Sequence, residues 1–306
     1  MRYVILSCLA FAVASPAMAE TIRVQTLRPA ASDEAAALRS IQVEPFGGEA
    51  GDTLTIQVED ELRGVRLGQE PYFRVIPAAT GSGGEALLRG TADVEQRFSD
   101  YTEKRERCIK DDRGNCTSEK EQVTVKCRRR QVDLVVQLRL IAPDGTLLWS
   151  DNRPESFTES RCEDADTAPA TRGQIVRDLS GKVARRVRSD FVPSAGSEDV
   201  RVDEGRKGLA KPDSDRFKAA VRSVKDRQVP AACAAWGELA ATYPDHVPTR
   251  FNLGLCAEAA GDAATATAHY RHVLTLDPRN GPAQRGLWRL ASRDRAMRQL
   301  EAHAAE

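Results

Sequence analysis

Two prolines, Pro244 and Pro278, stand 34 residues apart in the segments Tyr243-Pro244-Asp245 and Leu276-Asp277-Pro278. This recurrence constrains the fold more than any other feature, because units of that length repeat as stacked helix pairs, each packing only on its neighbours. Alignment on the prolines puts Leu253 and Gly254 on the first helix of a pair, Gly261 in the turn, and Ala266 and Tyr270 on the second helix. An upstream copy sets Phe217 opposite Phe251, Ala232 opposite Ala266, and Trp236 opposite Tyr270. Downstream, Leu287 and Trp288 take the positions of Leu253 and Gly254, and the copy then ends as a capping helix. Small residues let paired helices approach, an aromatic ring fills the wedge between them, and proline stops the second helix. The competing reading is a generic helical bundle, which the alanine-rich run 257–268 would also suit.

Those positions resemble the tetratricopeptide repeat. The resemblance covers residues 214–306 and implies protein–protein binding through a helical groove. Two and a half repeats are marginal alone, so the module is expected to lean on the rest of the chain or on a partner.

Residues 1–19 read as a secretory signal: Arg2, an apolar core from Tyr3 to Val13, Pro16, and the small-residue site Ala17-Met18-Ala19. The core is too short to span a bilayer, and Cys8 reads as part of it and not as a lipid anchor. The expected mature chain starts at Glu20, lies in the periplasm with secretion beyond the outer membrane left open, and has no transmembrane segment. It carries 44 Lys and Arg (45 less Arg2) against 45 Asp and Glu, a balance that argues against a general polyanion binder.

Residues 20–192 form the first expected domain. Leu38–Phe46 reads as a strand. Leu54, Val58, Leu62 and Val65 read as a helix face with Asp52 or Thr53 as cap, and 72–77 as a second strand. Ala86–Ile109 and Gln122–Cys127 read as long antiparallel strands. Val132, Leu134, Val136, Leu138 and Leu140 alternate with Asp133, Gln137 and Arg139, the clearest strand of the chain. Asp144-Gly145 is a hairpin signal, with Thr146–Ser150 returning and a further extended piece reaching Cys162. A helix from Thr171 to Phe191 buries Ile175, Leu179, Val183, Val187 and Phe191. The fold class is therefore α+β, an α/β sandwich with a largely antiparallel sheet covered on one face, followed by an all-α repeat module. Residues 193–213, rich in Pro, Ser, Gly and charge, read as a flexible solvated linker, leaving 214–306 as the repeats.

Six cysteines follow the signal: Cys108, Cys116, Cys127, Cys162, Cys233 and Cys256. An even number in an exported chain reads as disulfides. Cys108 and Cys116 bracket a polar loop; Cys127 and Cys162 end separate strands; Cys233 and Cys256 sit on helices that neighbour each other in the stack. Four cysteines in the first domain allow three pairings. The spacings match no usual zinc site, and no metal or cofactor is expected.

No Gly-x-Ser-x-Gly elbow, phosphate loop or His-Glu-x-x-His motif occurs. Gly81-Ser82-Gly83-Gly84 and Gly47-Gly48 read as ordinary loops, and Asp60-Glu61 as an exposed helix turn. The first domain has no histidine, which excludes a histidine triad there. The expectation is a non-enzymatic chain, with a cell-wall hydrolase as the remote alternative. The basic residues Lys126, Arg128, Arg129 and Arg130 read first as a solvated sheet edge, and second as an anion-binding patch for envelope polymer or lipid. Nucleic acid is not expected, for want of interleaved aromatics.

The run Arg39-Ser40-Ile41-Gln42-Val43-Glu44-Pro45-Phe46, the following Gly-rich loop and helix, and the strand Phe73-Arg74-Val75-Ile76 resemble the start of a bacterial envelope family. That family is typified by the curli secretion lipoprotein CsgG, the penicillin-binding-protein activator lipoproteins and the TolB N-terminal domain. The hairpin around Asp144-Gly145 with Leu147-Leu148-Trp149-Ser150 resembles their paired strands. The resemblance covers about 150 residues and implies an envelope scaffold or assembly factor. The absent anchor cysteine and the appended repeats depart from it. The charged stretch Ala92–Val125 does not suit membrane-inserting hairpins. The partners expected are envelope proteins or a second copy of the chain, with peripheral contact to envelope polymer or lipid.

Overall fold

The computed structural model describes residues 20–77 and 83–305. The signal reading of residues 1–19 and the Gly81-Ser82 half of one glycine loop lie outside the described residues. Contacts divide the chain into two units: Pro29–Ser194 with Ala296–Glu306, and the chain up to Arg28 with Ala195–Arg295.

Val132, Leu134, Val136, Leu138 and Leu140 are all buried, and their strand, β7 (Cys116–Ile141), is the spine of the first unit. β7 pairs antiparallel along its length with β6 (Ala86–Lys110), from Leu87↔Ile141 to Lys110↔Cys116. β8 (Leu147–Asp151) returns antiparallel to β7 after the Asp144-Gly145 turn. β9 (Glu155–Cys162) pairs further along β7, ending at Cys127↔Cys162. The stretches expected as two separate strands, 122–127 and 132–140, are thus one continuous strand. On the other flank β2 (Ser40–Val43) runs parallel to both β6 and β5 (Arg74–Pro77). The sheet is mixed because the helix between β2 and β5 is a crossover, which returns the chain in the same direction. Its strand order is β5-β2-β6-β7-β8, with β9 also on β7.

That crossover helix, α2 (Gly51–Arg63), buries Leu54, Val58 and Leu62. Its N-cap is Ala50, with no side-chain acceptor, and neither Asp52 nor Thr53 caps it. Thr55 instead takes the Phe46 N–H on its Oγ1 and donates to the Gly51 carbonyl, fastening the entry loop. The second covering helix, α3 (Arg172–Phe191), is capped by Thr171 in a capping box with Gln174. Its expected apolar stripe is buried in full, in one core with α2 and the β7 face. Gln137 and Arg139, on the opposite sheet face, are exposed. A short helix not foreseen, α1 (Asp33–Ala37), is capped by Ser32. A two-residue pair, β3 (Arg66–Leu67) with β4 (Glu70–Pro71), follows α2.

The second unit holds five consecutively packed helices: α4 (Lys211–Lys225), α5 (Val229–Thr242), α6 (Val247–Ala259), α7 (Ala263–Leu276) and α8 (Gly281–Ala304), the last as far as Arg295. The residues of α8 from Ala296 on, His303 among them, belong to the first unit and not to the repeat module expected over 214–306. Each proline of the 34-residue spacing stands two residues past its helix, since α5 ends at Thr242 and α7 at Leu276. Gly261 makes the α6–α7 turn at φ +83°, where a Cβ would be strained.

The stretch expected as a linker departs from expectation. β10 (Ser194–Arg201) is a strand paired with β1 (Thr21–Arg28), so the first strand among the described residues belongs to the helical unit. Arg23 bonds Asp199 through Nε and Nη2 of its guanidinium group, at 2.9 and 3.0 Å. The apolar signal is sparse because these strands and their flanks give the core Ile22, Val24 and Val202, with Val200 partly buried against it, beside Phe217 and Phe251.

Candidate functional site

Past Cys127 no third strand among the described residues accompanies β6 and β7, because β9 ends there. Tyr101–Lys110 and Cys116–Lys126 therefore continue as a two-stranded arm. Ten residues of β6 at about 3.3 Å each give an arm of about 33 Å. Such a ribbon is marginal unaided, and this one carries a disulfide at each end. Cys127–Cys162 closes its base with Cα atoms 3.8 Å apart, and Cys108–Cys116 its tip at 5.3 Å. Glu103 lies close to Cys127 and Cys162, but the two sulfurs are bonded to each other and are not thiolates.

The four cations read as an anion patch are not one surface. Successive side chains of a strand point to opposite faces. Lys126, Arg128 and Arg130 therefore share a face with Thr102, Asp100 and Phe98, while Arg129 opposes Ser99 on the other. Arg128 is tied to Asp100 at 2.7 and 3.2 Å and lies over the Phe98 ring at 5.9 Å. The hydrogen bond from Arg128 holds the Asp100 carboxyl below the usual carboxylate range. Arg129 lies over Tyr101 at 5.3 Å. Arg130 donates to Gln96 and to the Ala170 carbonyl. Lys126 borders an open surface cavity of about 460 Å³ with Arg161, Arg128, Asp100 and Glu163.

The arm's outer edges carry charged side chains along both strands, Lys104, Arg105, Glu106 and Arg107 on β6 and Glu119, Lys120 and Glu121 on β7. Charges there oppose edge-to-edge pairing with another sheet. At the arm's root Asp133, read as an outward residue, is buried. It accepts from Gln131 and Ser156 and pairs with Arg97, and these bonds hold its pKa low. Of the adjacent acids Asp60 and Glu61 on α2, Glu61 accepts from Arg188 of α3 at 3.2 Å. Asp60 and Glu61 line an open groove of about 390 Å³ with Arg185 and Arg188.

In the helical unit most of the residues read as a repeat signature lie inside the array. Phe217, Ala232, Trp236, Phe251, Ala266 and Tyr270 are buried, and Leu253 and Leu287 partly so. Cys233 of α5 is bonded to Cys256 of α6, with Cα atoms 5.9 Å apart. Trp288 is the exception, 66% exposed on α8. Sequence reading missed Gly286 and the pair Glu258–Arg289. The Arg289 guanidinium makes two bonds of 2.7 Å to the Glu258 carboxylate, and the Tyr270 hydroxyl donates to it at 2.6 Å. The available signal was one of position: Glu258 falls one helical turn past Gly254, on the face that meets the next pair.

β1 packs on α4 and α6, the first helices of two successive pairs. That side of α4 and α6 is thus covered by the chain's own strand. Beside it remains an open cavity of about 640 Å³, walled by residues 198–205, Phe251, Arg285 and Arg289. Among the described residues no helix is long and apolar enough to cross a membrane.

No family model matches the chain, and no curated protein is similar to it. Among solved structures, one described as a "putative lipoprotein" from Caulobacter crescentus CB15 is similar over 52% of this chain and 90% of its own, at 15% identity. The TM-score is 0.25, too low to carry an argument.

Proposed function

We propose that the protein is a non-enzymatic adaptor or assembly factor of the bacterial cell envelope, exported to the periplasm, that holds protein partners. The observation carrying this reading is the arm: two polar strands with no third neighbour among the described residues, disulfide-bonded at base and tip. It adds nothing to the core, whose cluster on these strands ends at Val132 and Val94. A structure so braced and so solvated serves contact outside its own fold. The helical array, read as tetratricopeptide repeats, supports the same role, as does the envelope-family resemblance of residues 39–76. Because β1 covers α4 and α6, the partner surface moves from the expected groove to the arm and to what the array leaves open.

The test compares the full chain with a variant in which 103–125 is replaced by a two-residue turn, which removes Cys108 and Cys116 together. Pull-down from envelope extract is expected to recover a specific protein with the full chain and to lose it with the short-armed one. Equal recovery by both, or no specific protein with either, overturns the reading.

A second reading, binding of anionic envelope polymer or lipid, is favoured by the cavity that Lys126 shares with Arg161. It requires association that weakens with salt and on Lys126→Glu with Arg161→Glu. Salt-independent association removes it.

A further inference from the structure

Trp288 lies 34 residues after Gly254. Gly254 faces Tyr270 on the helix that follows it: a Cβ there would stand 2.5 Å from the ring. In the last copy that following helix does not occur within the described residues. Where α6 turns back at Gly261, the residue 34 further on is Arg295, inside the unbroken α8. The face of α8 that corresponds to a helix-packing face therefore meets solvent, with Trp288 66% exposed and Gln284 and Ala291 exposed beside it. The opposite face, Ala283, Gly286, Arg289 and Leu290, is buried in the array.

We infer that this face of α8 binds the same face of a second copy of the chain, in an antiparallel helix pair about a two-fold axis. Gln284, Trp288, Ala291 and Arg295 follow one another at spacings of four, three and four, the seam of a packed helix pair. Antiparallel pairing centred between Trp288 and Ala291 sets each Trp288 over the Ala291 of the other copy, twice. Large over small is the arrangement that fills such a seam. It sets Gln284 opposite Arg295, so no like charges oppose each other on the seam. A two-fold contact requires one patch to complement itself, and this one does. The pairing also covers an indole, the side chain that most often anchors an interface. The inference rests on the array being an interaction module and adds what it binds. A chain that stays monomeric yet recovers a partner through the arm would remove this inference and leave the adaptor reading standing.

Sedimentation equilibrium of the mature, oxidised full chain over a concentration series tests it, with Trp288→Glu and Trp288→Phe alongside and far-ultraviolet circular dichroism confirming that each is folded. A monomer–dimer equilibrium is expected. Trp288→Glu should raise its dissociation constant at least about tenfold, and Trp288→Phe should change it much less. A monomer up to about 0.5 mM, or a dimer equally stable with Trp288→Glu, overturns the inference.

Discussion

Gly254 meets Tyr270 so closely that a Cβ at Gly254 would lie 2.5 Å from one edge of the ring. Gly286, on the next first helix, meets the opposite edge at the same distance. The ring is fully buried between the two helices, so the spacing of α6 and α8 depends on glycine at both places. Gly254→Ala should destabilise the helical unit by about 1–3 kcal/mol through overpacking. Combined with Tyr270→Leu, the two losses should fall well short of additive in urea unfolding, because they share one contact. Additive losses would show that the glycine is required for another reason.

Glu258 and Arg289 form a buried ion pair with both side chains nearly inaccessible. Arg289→Met leaves the carboxylate buried with only the Tyr270 hydroxyl and is expected to cost about 3–5 kcal/mol. Replacing both residues by apolar ones of similar volume should recover most of that. Chemical denaturation of the single and double variants distinguishes a structural pair from a surface one.

The arm should depend on its staples while the sheet does not. Replacing Cys108 and Cys116 by serine removes a constraint of roughly 2–3 kcal/mol on the tip loop. Hydrogen exchange is expected to quicken in 101–126 and to stay slow at Val132–Leu140, whose alternate apolar side chains are buried in one core with α2 and α3. Equal protection in both proteins would mean that the strands hold the arm unaided.

His246 caps α6, with Nδ1 accepting the Thr249 N–H at 3.3 Å. Burial pushes its imidazole below the ordinary range. The unfolded chain therefore binds the proton more readily, near about pH 6.5. Its contribution to stability is complete above that pH and is lost as pH falls through the lower folded value. The helical unit should weaken as pH falls below about 6.5. His246→Asn keeps a cap acceptor and should remove part of the slope, leaving the share of His269, which burial also depresses. An unchanged slope in pH-dependent urea unfolding would assign the acid sensitivity elsewhere.

Long periodic features were legible in the sequence. The alternation from Val132 to Leu140 and the stripe from Ile175 to Phe191 appear in the fold as read, and the 34-residue spacing gave the helices of the array. What escaped reading was settled by distant partners. β10 has little apolar period because its neighbour β1, about 170 residues away, supplies Ile22 and Val24 to the shared core. The basic run 126–130 looked like one patch because a sequence does not display which face each residue takes. Asp133 looked solvated because Arg97 and Ser156, which bury it, lie on other strands. Trp288 looked like a packing residue in the 34-residue frame, but its exposure follows from a helix that does not return.

The central claim, that the disulfide-braced arm is where the protein meets its partners, is tested most directly by amine-reactive crosslinking in cells exporting the full chain. The arm offers Lys104, Lys110, Lys120 and Lys126. Mass spectrometry is expected to find links from these lysines to a specific second protein, and the same peptides should show Cys108–Cys116 and Cys127–Cys162 intact. Arm lysines linked only within their own chain, with links to other proteins arising solely elsewhere, would contradict the account.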